Sequence, residues 1–142
     1  MDLLGKEPKF DIYDKKWRIF YRNNAEPPQF IRAGATIKNS LITEGCDIGG
    51  TVENSVISSG VTIEEGAVVR DSVILGGVTV KRGARVEFAI IDGDSVIGEK
   101  ATVGAPLDSG ADITVVGGDI EIKAGKTVKS GTMIDHSNVG EI

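Results

Sequence analysis

The chain has 142 residues, the length of one domain, and carries a net charge of −5 from 16 basic and 21 acidic residues. Such a surface repels nucleic acid and anionic membranes, and no apolar stretch reaches the roughly 20 residues that span a bilayer. The chain is 40% hydrophobic but 5% aromatic, so its core must be built from Val, Ile and Ala. The single cysteine cannot form an internal disulfide, and the N-terminal residues contain no apolar stretch of signal-peptide length, so we expect a cytoplasmic protein.

Residues 1–30 contain no repeat and are predicted to form an irregular N-terminal segment. From residue 31 onward the motif apolar-x-x-small-apolar-Ile recurs. Its copies are Ile37–Ile42, Val52–Ile57, Val69–Ile74 and Val86–Ile91. The copies beginning at 52 and later start 17 residues apart, and the first interval is 15 residues, which indicates a first turn shortened by two residues. A repeat of this kind predicts a solenoid.

Each 17-residue turn carries three large apolar residues, spaced by five or six. In one turn they are Val69, Ile74 and Val80, and a second set lies two residues before each large residue of a turn. Before Ile74, Val80 and the next large residue, Val86, that second set is Ser72, Val78 and Ala84. Residues i and i−2 of a strand share one face, so both sets point inward on three flat faces, a pattern that a helix of period 3.6 cannot produce.

The predicted fold is therefore all-β, a single-stranded parallel β-helix of hexapeptide repeats with about five to six turns, covering residues 31–135. Residues 104–112 break the period and are predicted to form a loop, and residues 136–142 are predicted to be a frayed tail. Glycines such as Gly77 and Gly83 fall at the predicted corners, where positive φ is useful.

One outward column of this solenoid is aliphatic, whereas the other two contain polar residues. Its members are Leu41, Val56, Val73 and Ile90. A continuous apolar stripe is usually covered, so these four residues are candidate interface residues. Either another domain or subunit covers them, or the aromatic-rich segment 14–21 folds back over them.

The repeat contains no set of residues that is typical of a catalytic site. The one histidine, His136, lies in the predicted tail and is expected to be solvated, and Cys46 takes an inward position as a small buried residue. Asp92 and Asp94 are interpreted as corner residues rather than metal ligands, and no glycine-rich nucleotide loop enters a helix. The sequence predicts no catalytic residue, no metal site and no cofactor in this chain.

Four basic residues stand out against the acidic background: Arg70, Lys81, Arg82 and Arg85. Guanidinium groups bind phosphate through paired hydrogen bonds, so this group is a candidate effector or anion site. The alternative is an ordinary solvated corner with ion pairs to Glu64, Glu65 or Glu87.

Several stretches resemble bacterial glucose-1-phosphate adenylyltransferase where its nucleotidyltransferase domain joins a C-terminal left-handed β-helix. They are MDLLG at 1–5, FDIYD at 10–14, WRI at 17–19 and PPQFI at 27–31, followed by SVI at 55–57, SVIL at 72–75 and AIID at 89–92. The resemblance implies that residues 1–30 link to a catalytic domain absent from this chain, and that the helix is left-handed.

The family enzyme makes ADP-glucose and pyrophosphate from ATP and glucose 1-phosphate for glycogen synthesis, and holds magnesium in its catalytic domain. The resemblance therefore implies a regulatory and oligomerisation domain, with the catalytic domain, other subunits of a homotetramer and a phosphorylated metabolite as partners. It also implies that Arg82 and Arg85 are effector residues. Lys81 departs from the family, in which a glycine is common at this place in the turn.

Two other functions stay open. The chain could be a free-standing regulatory or scaffold subunit without catalysis. A hexapeptide acyltransferase is a remote alternative, because such enzymes usually need a histidine within the helix as general base and this helix has none.

Overall fold

The computed structural model describes residues 2–18 and 25–142. Short 3-10 helices occur at Asp2–Leu4, Leu107–Ser109 and Val139–Glu141, and the described residues contain no α-helix. Residues 5–18 hold neither helix nor strand, which agrees with the irregular N-terminal segment predicted from the sequence. No helix in the described ranges is long and apolar enough to cross a membrane.

The described part of the chain forms 18 short strands in three parallel sheets, and consecutive strands pass to consecutive sheets. Sheet A contains β1 (Phe30–Ile31), β4 (Asp47–Ile48), β7 (Thr62–Ile63), β10 (Thr79–Val80), β13 (Val96–Ile97) and β16 (Glu121–Ile122). Sheet B contains β2 (Thr36–Lys38), β5 (Thr51–Glu53), β8 (Val68–Arg70), β11 (Arg85–Glu87), β14 (Thr102–Gly104) and β17 (Thr127–Val128). Sheet C contains β3 (Leu41–Ile42), β6 (Val56–Ile57), β9 (Val73–Ile74), β12 (Ala89–Ile91), β15 (Thr114–Val116) and β18 (Met133–Ile134).

This arrangement confirms the predicted single-stranded parallel β-helix of about six turns, the architecture of the left-handed hexapeptide solenoids. The register follows the repeat, since Val69 pairs with Val52 on one side and with Val86 on the other. The shortened first turn keeps this register, because Ile37 lies beside Val52.

The core consists of the two inward sets predicted from the spacing. The large set is fully buried, as at Ile74 and Val80, and so are the preceding small residues such as Val78 and Ala84. β-Branched side chains pack well on a pleated surface and have few rotamers to lose. Their burial supplies the hydrophobic stabilisation of a fold with few aromatic residues.

Serines enter this core without leaving a polar group unpaired. The Ser55 hydroxyl donates to the carbonyl oxygen of Glu53 at 2.7 Å and accepts the amide of Ser72 at 3.2 Å. Ser72 repeats the pattern with the carbonyl of Arg70 and the amide of Ala89. Because each hydroxyl is satisfied by its own turn and the next, burial costs little.

The corners use backbone conformations with positive φ. Gly77 and Gly83 adopt φ of 73° and 70°, which confirms the corner positions predicted for them. The corner between sheets B and C has no glycine in its first turns and instead stacks four residues with positive φ: Asn39, Asn54, Asp71 and Phe88. Asn and Asp tolerate this conformation, and Asn54 donates its side-chain amide to Asp71 at 2.6 Å. Phe88 is the exception, because a bulky residue at φ 48° is strained.

The loop predicted at 104–112 occupies residues 105–113, at the same corner. It leaves sheet B after Gly104, whose φ is 80°. A Cβ atom at that position would overlap the carbonyl oxygen of Glu87 in the turn below. The chain therefore needs glycine at the point where the loop begins.

The prediction of a frayed tail at 136–142 was wrong. Residues Val139–Glu141 form a 3-10 helix, and Val139 and Ile142 pack against the end of the core. Asn138 holds the segment in place by donating its side-chain amide to the carbonyl oxygen of Met133 at 2.9 Å. Apolar residues in the tail gain burial against the last turn, although they do not continue the period of the repeat.

Candidate functional sites

A groove of about 550 Å³ lies between sheet B and the loop at 105–113. We call it the loop groove, and its lining residues are Arg70, Asp71, Arg85, Glu87, Pro106, Leu107 and Asp108. Two of the four basic candidates, Arg70 and Arg85, thus face one concave site. The parallel register puts them together, since β8 and β11 are neighbours in sheet B.

Charged residues alternate in sign along sheet B beside this groove. Lys38, Glu53, Arg70 and Glu87 occupy the same position in successive strands. Glu53 contacts Lys38 at 3.2 Å and Arg70 at 2.8 Å, and these hydrogen bonds, that from Lys38 first, hold the pKa of its carboxyl below the ordinary value. Opposite charges on adjacent strands support the pairing of a sheet.

Glu87 ends this row and is almost fully buried, with 8% of its side chain exposed. Its Oε1 atom lies 3.0 Å from Nη2 of Arg85 and 3.6 Å from Nη1 of Arg70. Arg85 reaches Glu87 along its own strand, because residues two apart share a face. A buried carboxylate requires such partners, so Glu87 fixes both guanidinium groups at the groove.

The other two basic candidates lie outside the groove lining. Arg82 forms an ion pair with Glu65 at 3.7 Å and donates its backbone amide to Glu64 at 2.8 Å. Lys81 is on the same corner, before β11. Two of the ion-pair partners named in the alternative interpretation, Glu65 and Glu87, are therefore present, while Arg70 and Arg85 keep a concave surface between them.

The aliphatic residues of sheet C form one column in register. Leu41, Val56, Val73 and Ile90 lie side by side and are half-buried. Val115 and Met133 continue the column beyond the loop, and Met133 is 65% exposed. The spacing did not reveal these two residues because the loop adds eight residues to that turn. The apolar spacing that resumes after the loop, at Val116 and Ile134, indicates them as the outward residues that precede these two positions.

The segment proposed as an internal cover for this sheet C column does not bury its tryptophan. Trp17 is 76% exposed and Tyr13 is similarly exposed. The rest of that segment, from residue 19 to 21, lies outside the described residues. Cover by another domain or subunit stays a prediction.

The two ends of the solenoid differ. The last turn is capped by Val139 and Ile142, whereas β1, β2 and β3 each pair on one side within the described residues. Phe30 is 64% exposed at this open end, and the core positions Ile31 and Ile37 are also exposed. Unpaired strands with apolar ends are surfaces that proteins normally cover.

The other side chains considered for chemistry lie outside the lining of the loop groove. Cys46 is buried, and burial raises the pKa of its thiol, which disfavours the nucleophilic thiolate. His136 is exposed, as expected for a solvated residue. Asp92 accepts a hydrogen bond from the following amide at 2.7 Å, an ordinary corner contact. No group of three or more potential metal ligands occurs within residues 2–18 and 25–142.

Comparison with known proteins places these features in a family. A family model described as GlmU-like, C-terminal hexapeptide matches residues 27–115. The glucose-1-phosphate adenylyltransferase of Geobacillus stearothermophilus is 47% identical over 68 residues, which are 48% of this chain and 18% of that enzyme. The enzyme of Bacillus mycoides (strain KBAB4) is 48% identical over 68 residues, with the same coverage of each chain. The matched part of these enzymes is C-terminal, which confirms the resemblance found in the sequence.

Among solved structures, the acetyltransferase domain of PglB from Neisseria gonorrhoeae FA1090 matches with a TM-score of 0.49 and 21% identity. It covers 72% of this chain and 50% of that chain. A likeness this distant carries no information on function. The stretch matched in the curated adenylyltransferases is 18% of their length. By the match over residues 27–115, the chain belongs to the GlmU-like C-terminal hexapeptide family.

Proposed function

We propose that this chain is the C-terminal β-helix of a glucose-1-phosphate adenylyltransferase, in which it joins subunits and binds a phosphorylated effector. Such an enzyme makes ADP-glucose and pyrophosphate from ATP and glucose 1-phosphate for glycogen synthesis. The 47–48% identity to curated adenylyltransferases carries the proposal. In this proposal, catalysis and the magnesium that accompanies it belong to another domain of the enzyme.

The open N-terminal end of the solenoid is our proposed docking surface for that nucleotidyltransferase domain. Seven of the ten large hydrophobic residues that are exposed in the described ranges lie between residues 10 and 37. The matched stretch of the relatives is C-terminal, so most of their length precedes it. A preceding domain would cover both the apolar residues and the unpaired strands. We expect the whole protein to work in the cytoplasm.

The sheet C column is our proposed subunit interface. Replacing Val73, near its centre, with Asp should reduce the mass of the chain in solution to that of a 14.9 kDa monomer, because a charge in an apolar contact loses its hydration. Sedimentation equilibrium measures this mass. Thr62→Asp is the matched control, since Thr62 points outward from the polar column of sheet A. An unchanged mass for a folded Val73→Asp variant would exclude this interface.

The loop groove is our proposed effector site, with inorganic phosphate as the probe. Titration followed by ³¹P NMR should give a dissociation constant about tenfold higher for Arg85→Gln than for the unmodified chain, because a charge-assisted hydrogen bond is lost. Arg82→Gln is the control, since Arg82 lies outside the groove lining and should change binding little. Equal losses in the two variants would mean that phosphate responds only to net charge.

A further inference from the structure

Glu87 occupies the place between two arginines that a bound anion would take. One oxygen atom, Oε1, contacts Nη2 of Arg85 at 3.0 Å and lies 3.6 Å from Nη1 of Arg70. The carboxylate is nearly buried, with 8% of its side chain exposed, whereas the arginine side chains are 47% and 40% exposed. The guanidinium groups are thus accessible from the groove, which Glu87 lines together with them.

The two arginines differ in how firmly they are paired. Arg70 also donates through Nε to Glu53 at 2.8 Å, so it keeps a counter-ion if Glu87 is released. Arg85 has Glu87 as its ion-pair partner within the described residues. An incoming anion would therefore replace Glu87 as the partner of Arg85, while Arg70 would stay paired with Glu53.

The end of the charge row explains why Glu87 recruits Arg85. Glu53 has a cation on both neighbouring strands, Lys38 and Arg70. Glu87 has Arg70 on one side and Gly104, which carries no side chain, on the other. Arg85, two residues earlier on the same strand, supplies the missing charge and is held at the mouth of the groove.

We infer that Glu87 is a built-in competitor of the effector: it holds Arg85 in the empty groove and must give it up when a phosphate group binds. This inference rests on the proposed effector site. If a carboxylate only orients an arginine, removing its charge should weaken phosphate binding. If Glu87 competes with the phosphate group, removing its charge should strengthen phosphate binding. The Asp71 and Asp108 carboxylates at the groove remain in either case, so the comparison isolates Glu87.

The test is the affinity for inorganic phosphate of Glu87→Gln, measured by ³¹P NMR at fixed ionic strength. We expect binding about tenfold tighter than in the unmodified chain, since two cations at the groove lose a shared counter-charge. Glu53→Gln is the matched control, because it removes a carboxylate from Arg70 in the same row but leaves the Arg85 contact intact. It should change the affinity much less.

A second measurement needs no substitution at Glu87. In the unmodified chain, the ¹³C resonance of the Glu87 carboxyl should shift as phosphate is added, because that carboxylate loses its 3.0 Å contact with Arg85. Weaker or equal phosphate binding by folded Glu87→Gln, or an unmoved resonance at saturation, would overturn the inference while Arg85→Gln still tests the effector site. No phosphate binding by either protein would overturn the effector site as well.

Discussion

The substitution Gly104→Ala should lower the free energy of unfolding by about 3 kcal/mol, measured by urea denaturation. Two costs add in this variant. The φ of 80° is left-handed and costs an L-residue about 1 kcal/mol. The new Cβ atom would also overlap the carbonyl oxygen of Glu87, and relieving such a contact between two backbones costs about 2 kcal/mol.

The matched control is Gly110→Ala in the same loop. Gly110 has φ of 72°, but a Cβ atom there would meet nothing within 4 Å. It should therefore cost only the conformational part, about 1 kcal/mol. Equal losses at 104 and 110 would show that the loop does not press against Glu87.

The substitution Ile74→Ala should lower the free energy of unfolding by about 3 kcal/mol. Ile74 is fully buried between the turns of sheet C, and its truncation removes transfer free energy and leaves a cavity. The measurement is again the urea midpoint, with circular dichroism confirming that the variant keeps its strands.

The neighbouring residue provides the control for Ile74. Val73 is half-buried on the outer face of the same strand, so Val73→Ala should cost less than about 1 kcal/mol in the monomer. A larger loss at 73 than at 74 would mean that the strand presents its other face to the core.

The sequence predicted the inward positions because a solenoid repeats one geometry in every turn. Once Val69 and Ile74 marked the inward positions of two faces, the 17-residue period fixed the equivalent residues in the turns on either side. The first turn could lose two residues at a corner without changing this, since Ile37 still pairs with Val52.

Features that break the repeat were harder to predict. The eight extra residues of the loop hid Val115 and Met133 from the column of sheet C. The C-terminal cap follows no period, because its 3-10 helix packs against the end of the stack rather than continuing it. Strain at Phe88 could not be read from the sequence either, as the other residues of its column are Asn or Asp.

Some residues of the loop groove could have been predicted from the sequence. Glu53, Arg70 and Glu87 are each 17 residues apart, so their alternation could have been recognised as a charge row. Grouping the basic residues by nearness in sequence instead joined Lys81 and Arg82 to Arg85. The register of the sheets, together with the loop, decides which of them share a surface.

The central claim is that this chain serves as the C-terminal part of a glucose-1-phosphate adenylyltransferase. The most direct test is to isolate, from the native organism, the polypeptide that contains the chain, and to measure its mass together with ADP-glucose formation from ATP and glucose 1-phosphate. We expect a polypeptide several times larger than 14.9 kDa that forms ADP-glucose. A polypeptide of that small mass, purified without any associated ADP-glucose synthesis, would contradict the claim.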